Sequence, residues 1–157
     1  LLKYEISINA TMTVRNSATR FLPLFLTFSG LLPFIIGALL PLLGFEALPQ
    51  IGNVAYAIAT YGLVIVMFIT GIHWGQQLSL GRTATGLFIY SNILAILSWL
   101  LLRLQYFLVF LTVPQMLILA IDHSLYMQAV LKKGYIIFRS FIIGIVIICL
   151  FLAGSSL

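Results

Sequence analysis

The sequence predicts an all-α polytopic membrane protein, a bundle of five transmembrane helices. Three observations carry that expectation. First, 62% of the 157 residues are hydrophobic and 7% are charged, with a mean hydropathy of +1.19, whereas a soluble domain carries about 25% charged residues. Charge this sparse cannot cover a water-soluble globule, which excludes an ordinary soluble enzyme, a disordered tail and a nucleic-acid module. Second, the charges fall at intervals. None lies between Arg20 and Glu46, Glu46 and Arg82, Arg82 and Arg103, or Arg103 and Asp122, and none follows Arg139. Each interval holds one crossing, because a helix rises about 1.5 Å per residue through about 30 Å of hydrocarbon. Third, runs such as Tyr61-Gly-Leu-Val-Ile-Val-Met-Phe-Ile69 do not alternate polar with apolar residues, as barrel strands do. Only helices and closed barrels satisfy every backbone group in lipid.

The elements follow in order. An N-terminal arm, residues 1–21, precedes a five-helix domain over 22–157, with helices expected at about 22–43, 53–73, 84–102, 105–126 and 136–154. The first ten residues lack the apolar core of a signal peptide. Met12 is a candidate start, and a processed or partial chain is the alternative. In the first helix Gly30, Gly37 and Gly44 recur at steps of seven, which places them on one face suited to close helix packing. Pro33 and Pro41 lack the N–H of an interior turn and should kink that helix. Asn53 opens the second helix as its N-cap.

Gly71 and Gly75 stand at GxxxG spacing, and Ser140 and Gly144 make a second pair of small residues. For both, packing inside the bundle is expected ahead of dimerisation, because such pairs are common between the helices of one bundle. Tyr90 and Asn92, in mid-helix, suggest an interhelical hydrogen bond. Arg103 beside Gln105-Tyr106 reads as an interfacial anchor. Cys149, the single cysteine, has no internal disulfide partner and reads as a small apolar side chain. The chain shows no internal repeat and no low-complexity linker.

Loop charges then give an orientation. Lys3, Arg15 and Arg20 in the arm, Arg82 in the second loop, and Lys132, Lys133 and Arg139 near the fourth loop fall on one side of a five-span topology; Arg103 alone falls opposite. Basic residues gather on the cytoplasmic side of membrane proteins. The expectation is an N-terminus on the cytoplasmic or mitochondrial-matrix side of an inner membrane and a C-terminus on the other side.

That topology gathers the polar side chains at one face. His73, Trp74, Arg82, Asp122, His123, Tyr126, Tyr135 and Arg139 form a candidate polar layer. Gln115, Asp122 and Tyr126 recur at seven and four and so share a helix face. A charge inside a transmembrane segment is costly and requires a partner, for which Arg139 and Arg82 are the candidates. A structural Asp–Arg pair ranks first, and a proton or ion path second. Metal binding by His73, His123 and Asp122 lacks an established ligand spacing, and bis-histidine haem would use the only two histidines at the membrane edge. No catalytic, metal or cofactor residue is therefore assigned. There is no phosphate loop, nucleophile elbow, carboxylate pair or Cys/His cluster.

Ser29-Gly-Leu-Leu-Pro-Phe34, Tyr61-Gly62, Gly71-Ile-His-Trp-Gly75, Asp122, and Tyr135 with Arg139 together resemble the transmembrane protein 69-like family, catalogued as domain of unknown function 3429. The resemblance spans about residues 22–154. It implies a small five-helix protein of proteobacteria or mitochondria, and it implies no activity, cofactor or catalytic residue.

The functional expectation is a non-catalytic accessory, scaffold or assembly subunit of a larger inner-membrane complex, its partners being the lipid bilayer and other membrane subunits. Nucleic acid is excluded and homo-oligomerisation stays open. The alternatives are a small oligomeric transporter or proton-coupled channel using Asp122 with His73 and His123, and a quinone- or haem-binding redox subunit.

Overall fold

The computed structural model describes residues 25–79, 85–104, 106–128 and 131–155. The arm, Met12 and Arg82 lie outside them. The chain divides into two compact units, Leu1–Leu32 and Pro33–Leu157. In the first, residues 25–32 are helical, and Phe25, Leu26, Phe28 and Leu32 are exposed.

Helix α1 is Phe25–Leu42. It ends in a glycine cap: Gly44 has φ +84°, its N–H donates to the Pro41 carbonyl, and the Phe45 N–H donates to the Leu40 carbonyl. A left-handed residue at this point turns the chain so that the last carbonyls are satisfied, and glycine has no Cβ to oppose it. Gly44 is therefore a cap outside the helix, which corrects the expected three-glycine packing face. Gly37 does allow a close approach, since a Cβ there would come within 2.9 Å of Ile58 Cδ1.

A short hairpin follows, which the hydropathy pattern did not suggest. Strands β1 (Ala47–Leu48) and β2 (Gly52–Asn53) pair antiparallel, Ala47 opposite Asn53 and Leu48 opposite Gly52. Pro49 sits in the turn, the Ile51 N–H returns to the Leu48 carbonyl, and Gly52 takes the left-handed position with φ +78°. A three-residue loop closed by such a glycine is a common hairpin geometry.

Helix α2 (Val54–Ser79) begins where Asn53 Oδ1 accepts the Tyr56 N–H at 2.9 Å, the expected N-cap. It runs six residues past the expected end. His73-Trp74-Gly75-Gln76-Gln77 is a helical turn and not a loop, because its polar residues are buried or bonded within the bundle. Helix α3 is Thr85–Leu101, and its last carbonyls are taken by tighter turns from Leu102, Arg103 and Leu104.

Two segments, α4 (Phe107–Phe110) and α5 (Thr112–Met127), occupy the expected fourth helix. The break at Leu111 has a sequence cause. Pro114 has no N–H to give to the Phe110 carbonyl, and the interruption places it in the first turn of α5, where that donor is not needed. Helix α6 is Lys133–Ser155, three residues longer at its start than expected.

Among the described residues, four helices are long and apolar enough to cross a membrane: α1, α2, the α4–α5 segment and α6. With 17 residues, α3 spans about 25 Å. Helix α2 packs chiefly on α3 and α5 chiefly on α6, and the two pairs meet through contacts of α2 with α5 and α6. Their shared centre is Val66, Ile69, Leu94, Ile118 and Ile143, all buried. Outside, Phe68, Phe141 and Phe151 are more than half exposed, as lipid-facing side chains are. The fold is that of a multi-pass helical membrane protein.

Candidate functional site

The polar centre is assembled by three helices at their matching ends. On α2, Val66, Ile69, Thr70, His73 and Gln77 form one buried stripe at helical spacing. On α5, Gln115, Ile118, Asp122 and Leu125 do the same. Arg139 lies on α6, one turn before the buried Ile142 and Ile143. His73 stands six residues before the end of α2, Asp122 five before the end of α5, and Arg139 six after the start of α6. Each is thus about 7–9 Å inside its helix end. The cluster lies deeper than a helix 2 ending at His73 would have set it.

Asp122, 1% exposed, is the hub. His73 Nε2 is 2.9 Å from its Oδ1, and Arg139 Nε is 3.1 Å from its Oδ2. A carboxylate beside a guanidinium only accepts, so His73 donates through Nε2–H. The Arg139 contact is an ion pair without hydrogen-bond alignment. Its Nε and Nη2, together with Asp122 Oδ2, are buried and form no hydrogen bond with any described group. The pair is held by charge more than by directed bonding. Gln77 Oε1 and Tyr90 Oη are among the other atoms buried without a hydrogen-bond partner among the described residues.

The other members of the expected layer go elsewhere. Trp74 turns toward α3, where its Nε1–H donates to Ser91 Oγ at 2.6 Å and its ring meets Phe88 edge-on at 4.9 Å. His123, adjacent to Asp122 but about 100° round the helix, is exposed, its ring 6.1 Å from that of Tyr126. Tyr135 is exposed. His123 lines an open groove of about 450 Å³ between α5 and α6, with Ser140 and Gly144 on its α6 wall. His73 faces the core, so the His73–His123–Asp122 ligand set named from the sequence is divided between inside and outside. No group of three His, Cys, Asp or Glu suited to a metal comes together among the described residues.

Several packing expectations are corrected. A Cβ on Gly71, Gly75 or Gly144 would meet no described atom within 4 Å, so these glycines make no close contact with a described helix; Gly71 and Gly75 are exposed and Gly144 is half-buried. Close approach occurs instead at Gly37 and at Gly154, where a Cβ would stand 3.0 Å from Val109 Cγ2. Asn92 does not bridge helices, because its Nδ2 donates to Phe88 of its own helix. Tyr90 forms no interhelical bond with a described residue either. Cys149 is buried, and Arg103 is exposed.

Sequence reasoning missed Ser91, Ser98 and Gln77, all buried. Ser91, Leu94 and Ser98 share one face of α3 at spacings of three and four, a small-residue pattern typical of membrane helix contacts, and it was readable.

Fold and site together define a class: a polytopic helical membrane protein in which Asp122 and Arg139 are drawn into one interhelical cluster with His73. Within that class the chain belongs to the family described as protein of unknown function (DUF3429), which matches residues 19–154. No curated protein and no solved structure matches it.

Proposed function

We propose that this protein is a non-catalytic accessory, scaffold or assembly subunit of a larger inner-membrane complex. The observation that carries the reading is the Gly71–Gly75 face of α2, which is exposed and has no described atom within reach of an added Cβ. Small residues at this spacing let a second helix approach closely in lipid. The buried charges support the same reading, since Asp122 is engaged by both His73 and Arg139. The basic residues of the loops support an N-terminus on the cytoplasmic or matrix side. The Gly-Ile-His-Trp-Gly and Gly-Leu-Leu-Pro-Phe stretches support kinship with the transmembrane protein 69-like family.

The test is gentle detergent extraction of native membranes, native-gel separation and mass spectrometry of the band that holds this chain. Co-migration with a larger assembly is expected, as is its loss in a Gly71→Leu/Gly75→Leu variant of unchanged thermal stability. Migration as a free monomer removes the reading.

A second reading is a proton-coupled transporter. The observation that favours it is the buried His73–Asp122 contact with Gln77 Oε1, one turn further along α2, buried and without a hydrogen-bond partner among the described residues. Intramembrane ionisable groups are common in proton relays. It expects Asp122→Asn to abolish a proton-linked flux in vesicles while the protein stays folded. An unchanged flux rejects it.

A further inference from the structure

The groove between α5 and α6 opens outward and is almost wholly apolar, with Ala120, Ile136, Ser140, Gly144 and Ile147 among its walls. Its small residues leave it open: a Cβ added at Gly144 would meet nothing described within 4 Å. From Ile136 to Ile147 it runs eleven residues along α6, about 16 Å at 1.5 Å per residue. That is the depth of one leaflet, half of a hydrocarbon layer of about 30 Å.

One end is charged. His123 lines the groove there, and Lys132 and Lys133, both exposed, lie one turn before Ile136. Lys133, Ile136, Ser140 and Gly144 step by three, four and four, so Lys133 continues the α6 wall in register. No described acid neutralises either lysine. Asp122 is buried with its own partners.

We propose that this groove is a binding site for an anionic phospholipid, with one acyl chain in the apolar channel and the phosphate at Lys132, Lys133 and His123. The shape and the charge argue for the same occupant. A partner helix, about 10 Å across, rests over such a seam, whereas a single acyl chain enters it. A helix also gives the lysines nothing to neutralise. Basic pockets between membrane helices hold anionic headgroups in this way.

The experiment is native mass spectrometry of the full chain in detergent, titrated with dioleoyl phosphatidylglycerol or dioleoyl phosphatidylcholine. The acyl chains are identical, so the difference reads the headgroup. The glycerol lipid should bind more tightly by roughly 25-fold, at roughly fivefold per lysine. Lys132→Gln/Lys133→Gln, a surface change, should bring the two lipids within roughly twofold. Gly144→Leu should fill the channel and weaken both. Equal affinity of the two lipids for the unaltered chain overturns the proposal, and so does a preference that survives loss of both lysines. If Gly144→Leu leaves lipid binding intact but abolishes a dimer, the groove belongs to a second copy of the chain and the lipid site is rejected.

Discussion

Two layers of the bundle lie about one turn apart on the same helices and are held in different ways. The middle layer, Val66, Ile69, Leu94, Ile118 and Ile143, is apolar and is drawn from α2, α3, α5 and α6. The polar layer, His73, Asp122 and Arg139, joins α2, α5 and α6 by charge and one hydrogen bond. In water the apolar layer would dominate. In lipid the surrounding chains are as apolar as leucine, so apolar packing gains from fit alone. The polar layer then has the greater power to specify. A slide of one turn would keep many apolar contacts but would part Asp122 from both partners and leave a buried charge uncompensated. The middle layer makes the helices fit, and the polar layer fixes which turn meets which.

Asp122→Ala should destabilise the bundle most. It leaves the buried Nε and Nη2 of Arg139 without their carboxylate and should cost about 3–5 kcal/mol, measured by unfolding in detergent. His73→Leu should cost less, because the Asp122–Arg139 pair remains. If Asp122→Ala costs no more than the loss of one buried methyl, about 0.5–1.5 kcal/mol, the polar layer does not specify the register.

Next in size is a test of fit. Gly37→Val forces a side chain against Ile58, where even a Cβ would come within 2.9 Å, and should cost about 1–3 kcal/mol. Gly71→Val, on a surface with no described neighbour, should leave the stability of the isolated chain unchanged. Similar losses at both positions would mean that the outer face is covered. Smaller again is Ile118→Val in the middle layer, fully buried, which removes one methyl and should cost about 0.5–1.5 kcal/mol.

The same contrast separates what the sequence made legible from what it did not. The spans were legible because hydropathy and charge spacing are one-dimensional. Asn53 as an N-cap was legible because its partner lies three residues away. Asp122 with Arg139 was legible because a charge in lipid has few possible partners. The direction of each glycine was not. Gly37, Gly71 and Gly144 look alike in sequence, and only the packing of neighbouring helices separates a contact from an open face. Gly44 was misread because a step of seven continues a helical face only if the helix itself continues. The end of α2 was misplaced because His73 read as a residue of the membrane edge, whereas the structure buries it. His123 was grouped with Asp122 by sequence adjacency, yet on a helix adjacent residues diverge by about 100°.

The smallest effect calibrates the comparison between the layers. Trp74 donates to Ser91 Oγ while that hydroxyl donates to the Leu87 carbonyl at 2.7 Å, so one side chain satisfies both helices. Trp74→Phe keeps the ring against Phe88 and removes only the donor; Ser91→Ala removes the acceptor. A double-mutant cycle of the two, read by unfolding in detergent, should give a coupling of about 0.6 kcal/mol, the average for polar contacts between membrane helices. The bond joins α2 to α3, outside the ion cluster, so its coupling measures an ordinary interhelical hydrogen bond in this bundle. The same cycle on Asp122 and Arg139 should exceed it severalfold. If the two couplings are equal, the charge at Asp122 is no more than another polar contact, and register must come from fit after all.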